Sequence, residues 1–80
     1  MVKEIAPNIV IDADTRFGQP MVKGTRITVE EVMGALAGGM DFEGINQEYG
    51  LARKDILAVL NYAACFLKGI KPKVFKEINV

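Results

Sequence analysis

The side chains able to do chemistry in this chain are few and poorly placed for catalysis. It holds no histidine and a single cysteine, Cys65. Without histidine the Ser-His and Cys-His nucleophile pairs cannot be built, and zinc loses a usual ligand. Asp12 and Asp14 have the first spacing of a calcium loop. The next ligand position is Arg16, however, and the position that must be glycine is Phe17, so that loop fails. The stretch from Gly18 to Thr25 has the ingredients of a phosphate loop, but in the order Lys23-Gly24-Thr25 instead of Gly-Lys-Thr. The remaining acids are scattered over positions expected to face solvent. The expectation is a protein that is not an enzyme and uses neither cofactor nor metal.

What remains is recognition chemistry. Arg53 and Lys54 open an expected helix, and Asn61 follows two turns later. Arginine suits a guanine edge or a phosphate, and lysine a phosphate. The plain alternative is that both cations are solvated charges of a first turn. Their place at the positive end of a helix is electrostatically unhelpful, which argues for a use. Net charge is zero, but unevenly spread: residues 1–50 carry four basic residues against eight acidic, and residues 51–80 carry six against two. The zero total speaks against nucleic-acid binding and the basic half for it. Lys68 to Lys76 reads equally as a solvated tail.

The elements that must position these residues are legible from local signals. Ile9-Val10-Ile11 is a β-branched run, and Asp12 to Thr15 favours a turn. Met21-Val22-Lys23 and Arg26-Ile27-Thr28 flank Gly24-Thr25 as two short strands around a tight connection, with Pro20 at a strand edge or start. Thr28-Val29-Glu30-Glu31 is a capping box, and Val29, Val32, Met33 and Leu36 then form one buried helix face. Gly38-Gly39 ends that helix. Asp41 caps a second helix with Phe42, Ile45 and Tyr49 on one side, and Gly50 stops it. A third helix runs from about Arg53 to Leu67. Gly69-Ile70-Lys71-Pro72 breaks it, and residues 73–80 alternate enough for a strand or ordered tail.

The second and third helices have the spacing of a helix-turn-helix, in which the second member can lie in the major groove. With Gly50 as the turn glycine, Ile45 faces the partner helix, Tyr49 and Leu51 bracket the turn, and Ile56 and Val59 point inward. Asn46 stands at the close-approach site where a small alanine is usual. Ile56 to Leu67 is a run of twelve uncharged residues. A helix apolar on most sides is buried on most sides, so a second copy is expected to cover part of it, here or at the N-terminal strands.

The string Gly18-Gln19-Pro20-Met21-Val22-Lys23-Gly24-Thr25-Arg26-Ile27-Thr28-Val29 resembles the hallmark of domain-of-unknown-function family 433. Gly39-Met40-Asp41, Glu48-Tyr49, Asp55-Ile56 and Tyr62-Ala63 continue the likeness over roughly residues 9–64. The resemblance implies a homeodomain-like helix-turn-helix preceded by short strands, and an antitoxin role beside a small PIN-like partner. Two positions depart from the pattern: Gly50 where proline is frequent, and Ala52 where a threonine commonly caps the third helix. Arg26 is the hallmark residue that turn-shaping explains least, and its fork suits a carboxylate or phosphate of a partner.

The expected fold is mainly α: a three-helix homeodomain-like helix-turn-helix bundle with short N-terminal β-strands. One domain is expected over 1–80, with an extended segment (1–28), a helical core (29–68) and a basic tail (69–80). A lone cysteine fits a reducing cytoplasm. No secretion leader is read, and the twelve-residue uncharged run falls short of the about 20 that span a bilayer. The functional expectation is a homodimeric antitoxin that binds operator DNA through Arg53, Lys54 and Asn61. Arg26, Lys71, Lys73 and Lys76 would meet a PIN-like toxin. The alternative is a protein-interaction module of the same fold without groove contacts.

Overall fold

The chain opens with a hairpin. Strand β1 (Val2–Ala6) pairs antiparallel with β2 (Ile9–Asp12), and β2 pairs antiparallel with β3 (Met21–Val22), in the order β1-β2-β3. The computed structural model describes residues 1–70. The expected strand or tail over 73–80, with Lys71, Lys73 and Lys76, lies outside the described residues. Asn8, in the first hairpin turn, takes φ +65°, a left-handed conformation that asparagine tolerates better than most residues. Its amide donates to the Glu4 carboxylate at 3.0 Å, and its carbonyl accepts from the Lys23 amide at 2.9 Å. The turn is thus fastened to both neighbouring strands.

A strand expected at Arg26-Ile27-Thr28 is present only as one bridge, between Met21 and Thr28. Thr28 is the N-cap of the next helix, so the extended segment must stop there. The Val22 amide still donates to the Ile27 carbonyl, and the Val29 amide to Pro20, both at 2.9 Å. Pro20 lies just before β3, where its missing donor costs nothing.

Among the described residues three α-helices follow: α1 (Val29–Ala37), α2 (Phe42–Tyr49) and α3 (Arg53–Leu67). The Thr28 hydroxyl accepts from the Glu31 amide at 3.0 Å, and the Glu31 carboxylate accepts from the Thr28 amide at 3.1 Å, so the expected capping box is complete. Asp41 caps α2 by accepting from the Gly44 amide at 2.8 Å. One buried cluster joins the sheet to the helices: Ile9, Val22, Val32, Ile45, Leu51, Ile56 and Val59. Both strands β2 and β3 and all three helices contribute to it. The sheet is therefore part of the core that fixes α3, not an appendage to it. Among the described residues no helix is long and apolar enough to cross a membrane.

Candidate functional site

The site is built around the three-residue connection between α2 and α3. Gly50 ends α2 in the left-handed conformation at φ +73°, and its amide donates to the Asn46 carbonyl at 2.8 Å. Leu51 then turns inward and is 1% exposed. The Asn46 side chain, expected to crowd a close approach, instead donates through Nδ2 to the Leu51 carbonyl at 2.9 Å. Ile45, Ile56 and Val59 are fully buried, as their spacing requires, and Tyr49 is half-buried.

Ala52 offers no capping side chain for α3. Part of that loss is offset by Asp55, whose Oδ2 accepts from the Ala52 amide at 2.9 Å. Its Oδ1 accepts from Asn8 Nδ2 at 2.7 Å. One carboxylate thus joins the first turn of α3 to the hairpin turn, and it places negative charge at the positive helix end. No local sequence signal pairs residues so far apart.

Arg53, Lys54 and Asn61 are all exposed on α3. The Arg53 guanidinium carbon lies 5.2 Å from the centroid of the Phe42 ring. Such a cation–π contact is worth about 0.5–1 kcal/mol at an exposed site, and it holds the fork beside the start of α2. Leu57, between Arg53 and Asn61 on the same side, is 44% exposed. The result is a shallow, mixed surface: two cations at one end, an apolar side chain, then an amide. The guanidinium, the ammonium and the carboxamide of this surface all offer hydrogen-bond donors to solvent.

Arg26 is exposed as well, and its carbonyl accepts from Arg16 Nη1 at 2.9 Å. The same Nη1 lies 2.8 Å from Glu31 Oε1. The Thr28 amide, then the Thr28 hydroxyl and the Arg16 guanidinium, hold the Glu31 carboxyl below its ordinary value against the opposing effect of burial. This knot fixes a turn that the sequence did not disclose. Arg16, Phe17 and Gly18 take φ of +50°, +60° and +74° in succession. For non-glycine residues such angles cost roughly 1–2 kcal/mol each, and here they set Phe17 in solvent at 98% exposure. The only sequence cue was the adjacent Gly18.

The chain matches the family model described as protein of unknown function, DUF433, over residues 9–63. It is 30% identical over 57 residues to a Mycobacterium tuberculosis protein named "Putative antitoxin VapB45". That match covers 71% of this chain and 24% of the relative, so the chain spans about a quarter of the relative's length. No solved structure matches. The family model takes in the strands β2 and β3, all of α1 and α2, and α3 as far as Ala63. On that coverage the chain belongs to the DUF433 family.

Proposed function

We propose that this chain is the antitoxin of a type II toxin–antitoxin pair. On this reading it is a homodimer whose homeodomain-like helix-turn-helix binds the operator of its own operon, and it captures a PIN-like toxin. The observation that carries the DNA half is the unit formed by α2, the Gly50 turn and α3. Its inward residues are buried, while Arg53, Lys54 and Asn61 stand outward on the second helix, the arrangement a groove-reading helix needs. The relative named as an antitoxin supports the toxin-neutralising half. Arg26, and Lys71, Lys73 and Lys76 of the tail, are the toxin contacts of this reading. A gel-shift titration with the protein's own promoter tests it. A salt-sensitive shift is expected, and no shift at micromolar protein would sink the DNA half. Co-purification with the product of a neighbouring PIN-like gene tests the toxin half.

A second reading, a protein-interaction module of the same fold, is favoured by the exposure of Leu57 where a base reader would carry a polar group. It expects Arg53→Ala with Lys54→Ala to leave every activity intact. Loss of an operator complex in that folded double variant decides for the first reading.

A further inference from the structure

Phe17 is an aromatic side chain held out in solvent on a rigid turn. It is 98% exposed, and Arg16, Phe17 and Gly18 beneath it all take positive φ. Arg16 Nη1 fastens that turn, donating to the Arg26 carbonyl and pairing with Glu31. Strain of this kind persists only where its surroundings enforce it, and it clusters at clamps and binding segments. Among the described residues no packing of the ring offsets the strain.

A receptor for such a ring lies on the same face. An almost wholly apolar groove of about 530 Å³ runs between α1 and the C-terminal half of α3. Pro20, Val29 and Met33 form one wall, and Tyr62, Phe66 and Leu67 the other. Glu30 borders both this groove and the polar depression beside Phe17, so ring and groove are neighbours across one side chain.

Area, charge and symmetry favour a second copy as the occupant. At about 200 Å² for a phenylalanine, Phe17 at 98% and Phe66 at 63% exposure present roughly 300 Å² between them. Leu67 and Ile70, 60% and 52% exposed, enlarge the patch. A standard interface needs about 800 Å² per partner, and this patch supplies a large apolar share of it. Both signs of charge flank the groove: Glu30 on the α1 side, and exposed Lys68 directly after Leu67 on the α3 side. A patch that carries both ring and groove, and both charges, is complementary to itself, as a twofold interface requires. Because ring and groove lie side by side, the exchange is reciprocal and closes at two copies. On opposite faces they would propagate a chain.

We propose that two copies associate by exchanging Phe17, each ring seated in the groove between Met33 and Phe66 of the partner subunit, with Lys68 facing the partner's Glu30. This rests on the homodimer reading and gives that dimer its interface. The interface uses the C-terminal half of α3, so Arg53 and Lys54 at the start of the helix lie outside it.

The chain has no tryptophan, so Phe17→Trp places a single reporter in the full-length protein. Sedimentation equilibrium reads the mass and indole emission reads the burial, both across a dilution series, with the native chain weighed in parallel. The expected result is a dimer with blue-shifted emission that returns to the solvent-exposed position as the dimer dissociates. Adding Phe66→Ala, at an exposed position of the groove, is expected to weaken the dimer about tenfold or more at unchanged helical circular dichroism. A dimer with solvent-like emission would overturn the proposal and leave the homodimer reading standing, with its interface elsewhere. A native chain that is monomeric throughout would overturn both. Blue-shifted emission at monomer mass would seat the ring on its own chain and overturn the proposal alone. Should the larger indole itself prevent association, Phe17→Ala in the otherwise native chain decides: weakening by about tenfold or more is expected, and native affinity overturns the proposal.

Discussion

Asn46 Nδ2 donates to the carbonyl oxygen of Leu51 at 2.9 Å, which closes the connection between α2 and α3 from the side. The Leu51 side chain is in the core, and its carbonyl, in the connection outside both helices, takes its partly buried hydrogen bond from Asn46. Asparagine at this position is therefore a working part of the turn. Asn46→Ala is expected to cost about 1 kcal/mol, reduced by the better helix propensity of alanine. Urea unfolding reads it as a lower midpoint at unchanged slope. An unchanged midpoint would show that the bond contributes nothing net.

Gly50 has open space around the position of a side chain, yet its φ is +73°. The cost of substitution there is conformational and not steric. Gly50→Ala is expected to lose roughly 1–2 kcal/mol, and Gly50→Asn distinctly less, since asparagine tolerates this region. Equal losses in thermal or urea unfolding would point to a clash instead.

Glu31 gives a pH signature. Its carboxyl is held below the ordinary carboxylate range first by the Thr28 amide, then by the Thr28 hydroxyl and Arg16. A group with a depressed folded pKa contributes stability above its unfolded value, and the contribution disappears as pH falls through the folded value. Wild-type stability is therefore expected to decline as pH drops below the ordinary glutamate value of about 4.3. Glu31→Gln is expected to be less stable at neutral pH and to show a shallower acid decline. Parallel curves for the two proteins would remove Glu31 as a cause.

Ala52 is the one helix N-cap of the three without a side-chain acceptor. Ala52→Ser would let its hydroxyl accept from the Asp55 amide, alongside the existing bond from the Ala52 amide to Asp55. A gain of about 1 kcal/mol is expected, seen as a raised melting temperature. If the urea midpoint is unchanged, the Asp55 arrangement already saturates the cap.

The helices were legible because their signals are local. Thr28 with Glu31, Asp41, and Gly50 each announce a boundary within four residues, and the apolar periodicity between them names Val32, Ile45, Ile56 and Val59 as core. The sheet was legible only in part. Four of the five β1 residues are exposed, so that strand has no alternation to betray it and exists by pairing with β2. Arg26-Ile27-Thr28 has strand composition, but the cap role of Thr28 overrides it. For the site, the exposure of Arg53, Lys54 and Asn61 followed from helical phase. The Arg53 contact with Phe42, the Arg16–Glu31 pair and the strained Phe17 did not, because each depends on tertiary placement.

The bond between Asn8 and Asp55 spans 47 residues of sequence. It has a consequence for how variation in this protein is to be read. The first turn of α3, where Arg53 and Lys54 sit, is anchored by a residue of the hairpin turn that lies just before the family match begins. The start of α3 therefore has a remote adjustment point. Two proteins with identical α2 and α3 but different hairpin turns would present the same side chains from differently held backbones, and comparing their helices alone would miss why they behave differently.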